Sequence, residues 1–137
     1  MATSTTHRYL LDTNIVSALV RQPQGAIYRR LESVWPATPC TSIVVAAEIQ
    51  FGLCKGVSER LRTQVNAIMS NLDILPLETP VERHYGEIRA HLQRLGQPIG
   101  ANDLLIAAHA RALGLILVTD NLREFARVPD LNLENWL

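Results

Sequence analysis

At 137 residues the chain is long enough to bury a sizeable core and too short for a second unit of equal size, so residues 1–137 are expected to form one domain. Hydrophobic residues make up 47% and charged residues 19%, which excludes a disordered chain. Thirteen Lys and Arg balance thirteen Asp and Glu, the pI is about 6.9, and this excludes a protein that holds nucleic acid by bulk positive charge; any such site has to be local.

The N-terminus, Met1 to His7, is polar and Thr-rich, without the apolar core of a secretory signal. The longest apolar runs, Ile43 to Ala47 and Leu113 to Val118, are far short of the roughly 20 residues of a membrane span. A cytoplasmic protein is expected. Arg8 to Asn14 then reads as strand, acid and helix start: Tyr9, Leu10 and Leu11 form a buried parallel strand, Asp12 sits at its carboxyl end, and Thr13 or Asn14 caps a helix to about Arg21. A second helix is predicted from Gln24 to Val34, with Pro23 at its start and Trp35, Pro36 and Pro39 breaking the pattern.

Thr38 to Thr41 suits a short strand, after which Ser42 caps a helix running through Ile43, Val44, Val45, Ala46, Ala47, Glu48, Ile49 and Leu53. Glu48 is the one charge in that run. Ser58 opens another helix, with Leu61, Val65, Ile68 and Leu72 at helical spacing. Asp73 to Leu77 reads as a buried strand. A long amphipathic helix follows, with a stripe of Val81, Tyr85, Ile88, Leu92 and Leu95 and a stop at Gly96. Asn102 is the expected cap of the next helix, with Asp103 in its first turn. Leu115 to Thr119 is the clearest strand and ends on Asp120 and Asn121, repeating the opening pattern; a helical turn to Phe125 and an edge strand at Leu131 to Leu133 close the chain.

Strands alternating with helices predict a three-layer α/β domain with a mainly parallel sheet. Ligands bind such sheets at the carboxyl ends of the strands, where Asp12 and Asp120 would meet, and a helix antiparallel to the strands begins there too, which brings Asp103 to the same edge. Each acid alone is an ordinary turn or first-turn residue. Glu48 is harder to set aside, because a charge in an apolar helix must find a partner. Carboxylates without a Cys or His ligand pattern favour a hard cation, Mg²⁺ or Mn²⁺, over zinc; such an ion can acidify water and hold a phosphodiester. His84, His91 and His109 lack triad spacing and read as surface or half-buried side chains, Cys40 and Cys54 as small core residues, and no nucleotide-binding glycine loop occurs.

Four stretches in this order, Leu10-Leu11-Asp12-Thr13-Asn14, Ala47-Glu48-Ile49 with Phe51-Gly52-Leu53, Gly100-Ala101-Asn102-Asp103-Leu104-Leu105-Ile106-Ala107, and Leu117-Val118-Thr119-Asp120-Asn121 ending in Phe125, resemble the PIN-domain ribonucleases, and more narrowly the VapC toxins of toxin–antitoxin pairs. The resemblance covers nearly the whole chain. It implies a three-layer α/β/α PIN-like fold, a Mg²⁺-dependent endoribonuclease, a VapB-type antitoxin and a homodimer. The family's acids fall on Asp12, Glu48 and Asp103, with Asp12 and Asp103 as the metal ligands, while its last polar position falls on Asn121. That is a departure: Asn121 is neutral, and either it or Asp120 faces the site, with Glu124 a further acid nearby and Arg123 placed to grip phosphate. The Asn121 to Phe125 run and the Glu134-Asn135-Trp136 ending are similar to members that cut transfer RNA, initiator tRNA among them. Two other classes fit parts of the pattern: a noncatalytic module whose acids receive a basic partner, and a Mg²⁺-dependent phosphatase or phosphoacceptor, whose usual second Asp is replaced by Asn14.

Overall fold

The computed structural model describes residues 7–34 and 38–137; the N-terminal residues before His7 and the expected break at Trp35 and Pro36 lie outside them. Five parallel strands, β1 (His7–Leu11), β2 (Thr38–Ser42), β3 (Asp73–Leu75), β4 (Ile116–Val118) and β5 (Asn132–Glu134), form one sheet in the order β3-β2-β1-β4-β5. The helices are α1 (Thr13–Arg21), α2 (Ala26–Val34), α3 (Ile43–Cys54), α4 (Glu59–Met69), α5 (Val81–Arg94), α6 (Ala101–Leu113) and the single turn α7 (Leu122–Phe125). The chain steps outward from β1 through β2 to β3, then returns through α5 and α6 to β4 on the other side of β1. Right-handed crossovers put connections running in opposite directions on opposite faces, giving three layers. The reversal falls between β1 and β4, whose carboxyl ends are therefore the topological switch point at which open α/β sheets bind ligands.

The strand sequences explain the burial. Leu10, Leu11, Leu117 and Val118 are solvent-free and pair in register, Leu10 with Leu117 and Leu11 with Val118. Central parallel strands are covered on both faces and therefore read as unbroken apolar runs. Ile15, Ile88, Leu92, Ile106, Ala107 and Phe125 close the core from the helices. No helix among the described residues is long and apolar enough to cross a membrane.

Several expectations shift. The strand expected over Asp73 to Leu77 stops at Leu75 and is a largely exposed edge, because β3 pairs with β2 alone. Pro39 lies within β2, and α2 begins at Ala26, after a turn that holds Pro23. Leu95 is 56% exposed, since α5 has ended at Arg94. Cys54 is exposed; Cys40 is buried, and burial pushes its thiol up to about 12, so it is an inert core residue.

His109 is fully buried rather than superficial. Its Nδ1 shares a 2.8 Å hydrogen bond with Ser42 Oγ, which also accepts the Val44 N–H as the cap of α3. Burial holds the imidazole below its usual range, the Pro76 carbonyl opposing this without making a well-formed bond to Nε2. A neutral ring thus ties α6 to the end of β2. Removing the Ser42 hydroxyl uncaps α3 and orphans Nδ1 together. Ser42→Ala is therefore expected to lower stability by about 1–3 kcal/mol, read as a shift of the urea midpoint at unchanged slope.

Candidate metal-dependent active site

Asp12 caps α1 with its own carboxylate. Oδ1 accepts the Thr13 N–H at 2.8 Å, and Oδ2 accepts Thr119 Oγ1 at 2.8 Å and Asn14 Nδ2 at 3.2 Å. The cap is thus the acid itself, where Thr13 or Asn14 was expected. The reason is local: Asp12 has extended backbone angles at the strand's end, and Thr13 is already helical. Asp12 is 3% exposed, and that burial raises its pKa against the pull of its three donors; the Glu48 charge adds to the rise. Three of about four acceptor positions on the carboxylate are filled, which leaves Oδ1 able to take one more partner.

Glu48, in the middle of α3, accepts a hydrogen bond from Thr13 Oγ1 on one oxygen and from Asn102 Nδ2 at 3.3 Å on the other. Its partners are therefore two neutral donors on α1 and α6. Asn102, expected to cap α6, is inside the helix and braces Glu48; the N-cap is Gly100, with no side-chain bond to the first turn.

Asp103 follows on the first turn of α6, half-buried. Burial is the main cause that raises its pKa to about 6, followed by the negative charges of Asp12, Glu124 and Glu48 and a hydrogen bond with Glu124. The carboxylates of Asp12, Glu48, Asp103 and Glu124 thus form one interacting group. Asn121, on the turn after β4, donates from Nδ2 to Glu124 Oε2 at 2.7 Å, and its N–H is fixed by Thr119 Oγ1 at 3.0 Å. Asp120 takes a different course: its N–H bonds Asn14 Oδ1 at 3.1 Å and the residue is exposed. The charges acting on Asp103 come from Asp12, Glu124 and Glu48, and Asp120 is not among them. Of the two alternatives at this strand end, Asn121 is tied into the acidic group and Asp120 is not. Glu124 enters more prominently than its sequence position suggested; the signal was its place three residues after Asn121, one turn along a short helix.

Among the described residues, no three His, Cys, Asp or Glu side chains stand close enough together to cage an ion by themselves. Mg²⁺ does not require such a cage, since it keeps several waters and takes one or two carboxylates. The donor chemistry fits it: hard oxygens, no sulfur or imidazole, and a mutual repulsion that a cation would relieve.

Five parallel strands between helix layers, with acidic side chains at the topological switch, are the fold and site that known proteins can be compared with. The chain matches the PIN domain family over residues 9–131. It is 39% identical over 130 residues to the ribonuclease VapC2 of Rickettsia felis, covering 93% of this chain and 97% of that one, and 36% identical over 130 residues to the tRNA(fMet)-specific endonuclease VapC of Shigella flexneri, covering 94% and 98%. The solved structure of VapBC2 from Rickettsia felis bound to a DNA fragment from its promoter superposes with a TM-score of 0.89 at 38% identity, covering 94% of this chain and 98% of that one. This chain belongs to the PIN-domain nucleases, and within them to the VapC ribonucleases of toxin–antitoxin systems.

The raised Asp103 pKa has a consequence for stability. Between about pH 4 and 6 the native state keeps a proton that the unfolded state has lost, so this group's contribution is present below about pH 4 and fades as pH rises through 6. In chelator, Asp103→Asn is expected to be more stable than the parent at pH 7.5, by on the order of 1 kcal/mol for a half-exposed, screened group, and equal to it near pH 4. Thermal melts at the two pH values check this; a parent that outlasts the variant at pH 7.5 contradicts it.

Proposed function

We propose that this protein is the endoribonuclease toxin of a VapBC-type pair, that it uses Mg²⁺ or Mn²⁺, and that its substrate is a transfer RNA, with initiator tRNA the first candidate. The observation that carries the reading is the gathering of Asp12, Glu48, Asp103 and Glu124 at the switch point, with Glu48 held by Thr13 and Asn102 and Glu124 by Asn121. The substrate is supported by the 36% identical relative named for tRNA(fMet), and the antitoxin by the VapBC complexes that share the fold. Both act in the cytoplasm.

Asp12 and Asp103 are the residues that would hold the cation. When bound, the ion lowers the pKa of water and neutralises charge on the phosphodiester. Glu48, aligned by Thr13 and Asn102, is placed to take the proton of the attacking water. Asn121 has no charge to offer a cation; it holds Glu124 toward Asp103. Arg123, exposed on α7 beside these groups, is a donor for the phosphate flanking the cut.

Two surfaces suit the protein partners. An apolar groove between α1, α3 and α4, lined by Val16, Val20, Ile49, Leu53, Leu61 and Val65, ends at Thr13 and Glu48, so a segment seated in it reaches the acids. This is the proposed seat of the antitoxin. On α3, Ile43, Ala47 and Phe51 form an exposed apolar face, with Phe51 65% exposed, which suits the homodimer.

Purified protein with Mg²⁺ should cut initiator tRNA, and chelator should stop it. Asp103→Asn is expected to lower the rate at least about a hundredfold with the fold intact, and Asn121→Ala by less, about tenfold, since it acts through Glu124. Full activity in a clean Asp103→Asn preparation overturns the assignment. Light scattering on the same samples tests the dimer, which Phe51→Glu should dissociate.

A further inference from the structure

Beside the catalytic edge, α5 and the turn leading into α6 enclose a cleft of about 190 Å³ that none of the roles above uses. Tyr85, Arg89 and Gln93 line it from α5, Pro98 and Ile99 from the turn, and Leu104 from the first turn of α6. Tyr85, Arg89 and Gln93 lie at successive i, i+4 positions, so one helix face presents an aromatic ring, a guanidinium and a carboxamide in a row. The Arg89 guanidinium lies 5.9 Å from the centre of the Tyr85 ring and donates from Nη1 to Tyr85 Oη at 2.9 Å. That contact uses one of its five N–H donors. Arg89 and Gln93 are exposed, whereas the Tyr85 ring is half-buried among the apolar walls.

We propose that this cleft receives a single unpaired purine of the RNA strand and fixes where the strand is cut. The inference rests on the nuclease reading of the adjacent acids. An aromatic ring beside Pro98 and Ile99 offers a stacking platform with apolar walls. A guanidinium matches the paired O6 and N7 acceptors of guanine, and a carboxamide matches the N6 and N7 edge of adenine. Placement agrees with the chemistry. Ala101 and Leu104, which both border the cleft, flank Asp103 in the first turn of α6, so the cleft opens within one helical turn of that acid.

Charge agrees as well. The chain carries no net charge, so affinity for RNA cannot come from a broad basic surface. Stacking supplies binding that salt does not screen, and a further cation stands at the wall of the cleft, where Arg127 Nη1 donates to the Pro98 carbonyl at 3.3 Å.

The test uses the full chain carrying Asp103→Asn, which binds without cutting, and a set of short single-stranded RNAs spanning the cleaved sequence, each with 2-aminopurine at one position. One position close to the cut should be quenched on binding, and quenching there should vanish with Tyr85→Leu, with affinity lower by about tenfold. Because Tyr85 is half-buried, Arg89→Ala and Gln93→Ala, both at exposed positions, are the second line: each should weaken binding severalfold and, in the cleaving protein, raise KM more than it lowers kcat and loosen the choice of cut site. Uniform quenching along the strand, or unchanged KM and cut pattern in folded Arg89→Ala, overturns the proposal. So does loss of antitoxin binding with RNA binding intact, which makes the cleft a protein contact. Position-specific quenching in a protein that cuts no RNA leaves the cleft standing and removes the nuclease reading instead.

Discussion

The constraint on which the structure turns is the carboxylate of Asp12. It is buried at the junction of β1, α1 and β4, and its three donors are the Thr13 N–H that opens the helix it caps, Asn14 next to it in that first turn, and Thr119 at the end of the neighbouring strand. An ionisable group so placed must be satisfied, and satisfying it fixes the geometry around it. Thr119 Oγ1 reaches Asp12 and accepts the N–H of Asn121, while Asn14 Oδ1 accepts the N–H of Asp120. The loop after β4 is therefore oriented by the residues that hold Asp12, and the placement of Asn121 and Glu124 follows from it.

The same edge stores repulsion. Four carboxylates interact across a half-buried space, and Asp103 responds by holding its proton to about 6. In stability alone this is unfavourable; on the proposed reading a cation would convert it into binding free energy. Such repulsion among functional groups is a common compromise between stability and activity. The bracing groups, Thr13, Asn102 and Asn121, are neutral donors that orient carboxylates without neutralising them, as a cation site requires.

Periodicity revealed much of this fold. Central strands are apolar on both faces, and Ser42 and Ser58 cap α3 and α4 where the pattern put them, while α1 is capped by Asp12, α5 has no side-chain cap, and Leu61 and Leu95 of the expected stripes are exposed. What it missed depends on tertiary neighbours. The edge position of β3 follows from strand order, which no local pattern encodes, and the burial of His109 follows from its pairing with Ser42, 67 residues away. In the site, Asp12, Glu48 and Asp103 were legible because an acid at a strand end, in an apolar helix or at a helix start is locally conspicuous. The choice between Asp120 and Asn121 was not, because one residue of register in a turn is decided by Asn14 and Thr119, far away in sequence. Glu124 was visible only as a neighbour, since its role depends on Asn121 turning it toward Asp103.

On the proposed reading these carboxylates form one group that a cation would complete. Carboxyl carbon NMR of ¹³C-labelled protein, titrated with and without Mg²⁺, tests it most directly. In chelator the Asp103 carboxyl should titrate near pH 6, and saturating Mg²⁺ should move its midpoint down into or below the ordinary carboxylate range, about pH 4. A midpoint near 4 that Mg²⁺ does not move would mean that these carboxylates neither repel one another nor bind the ion.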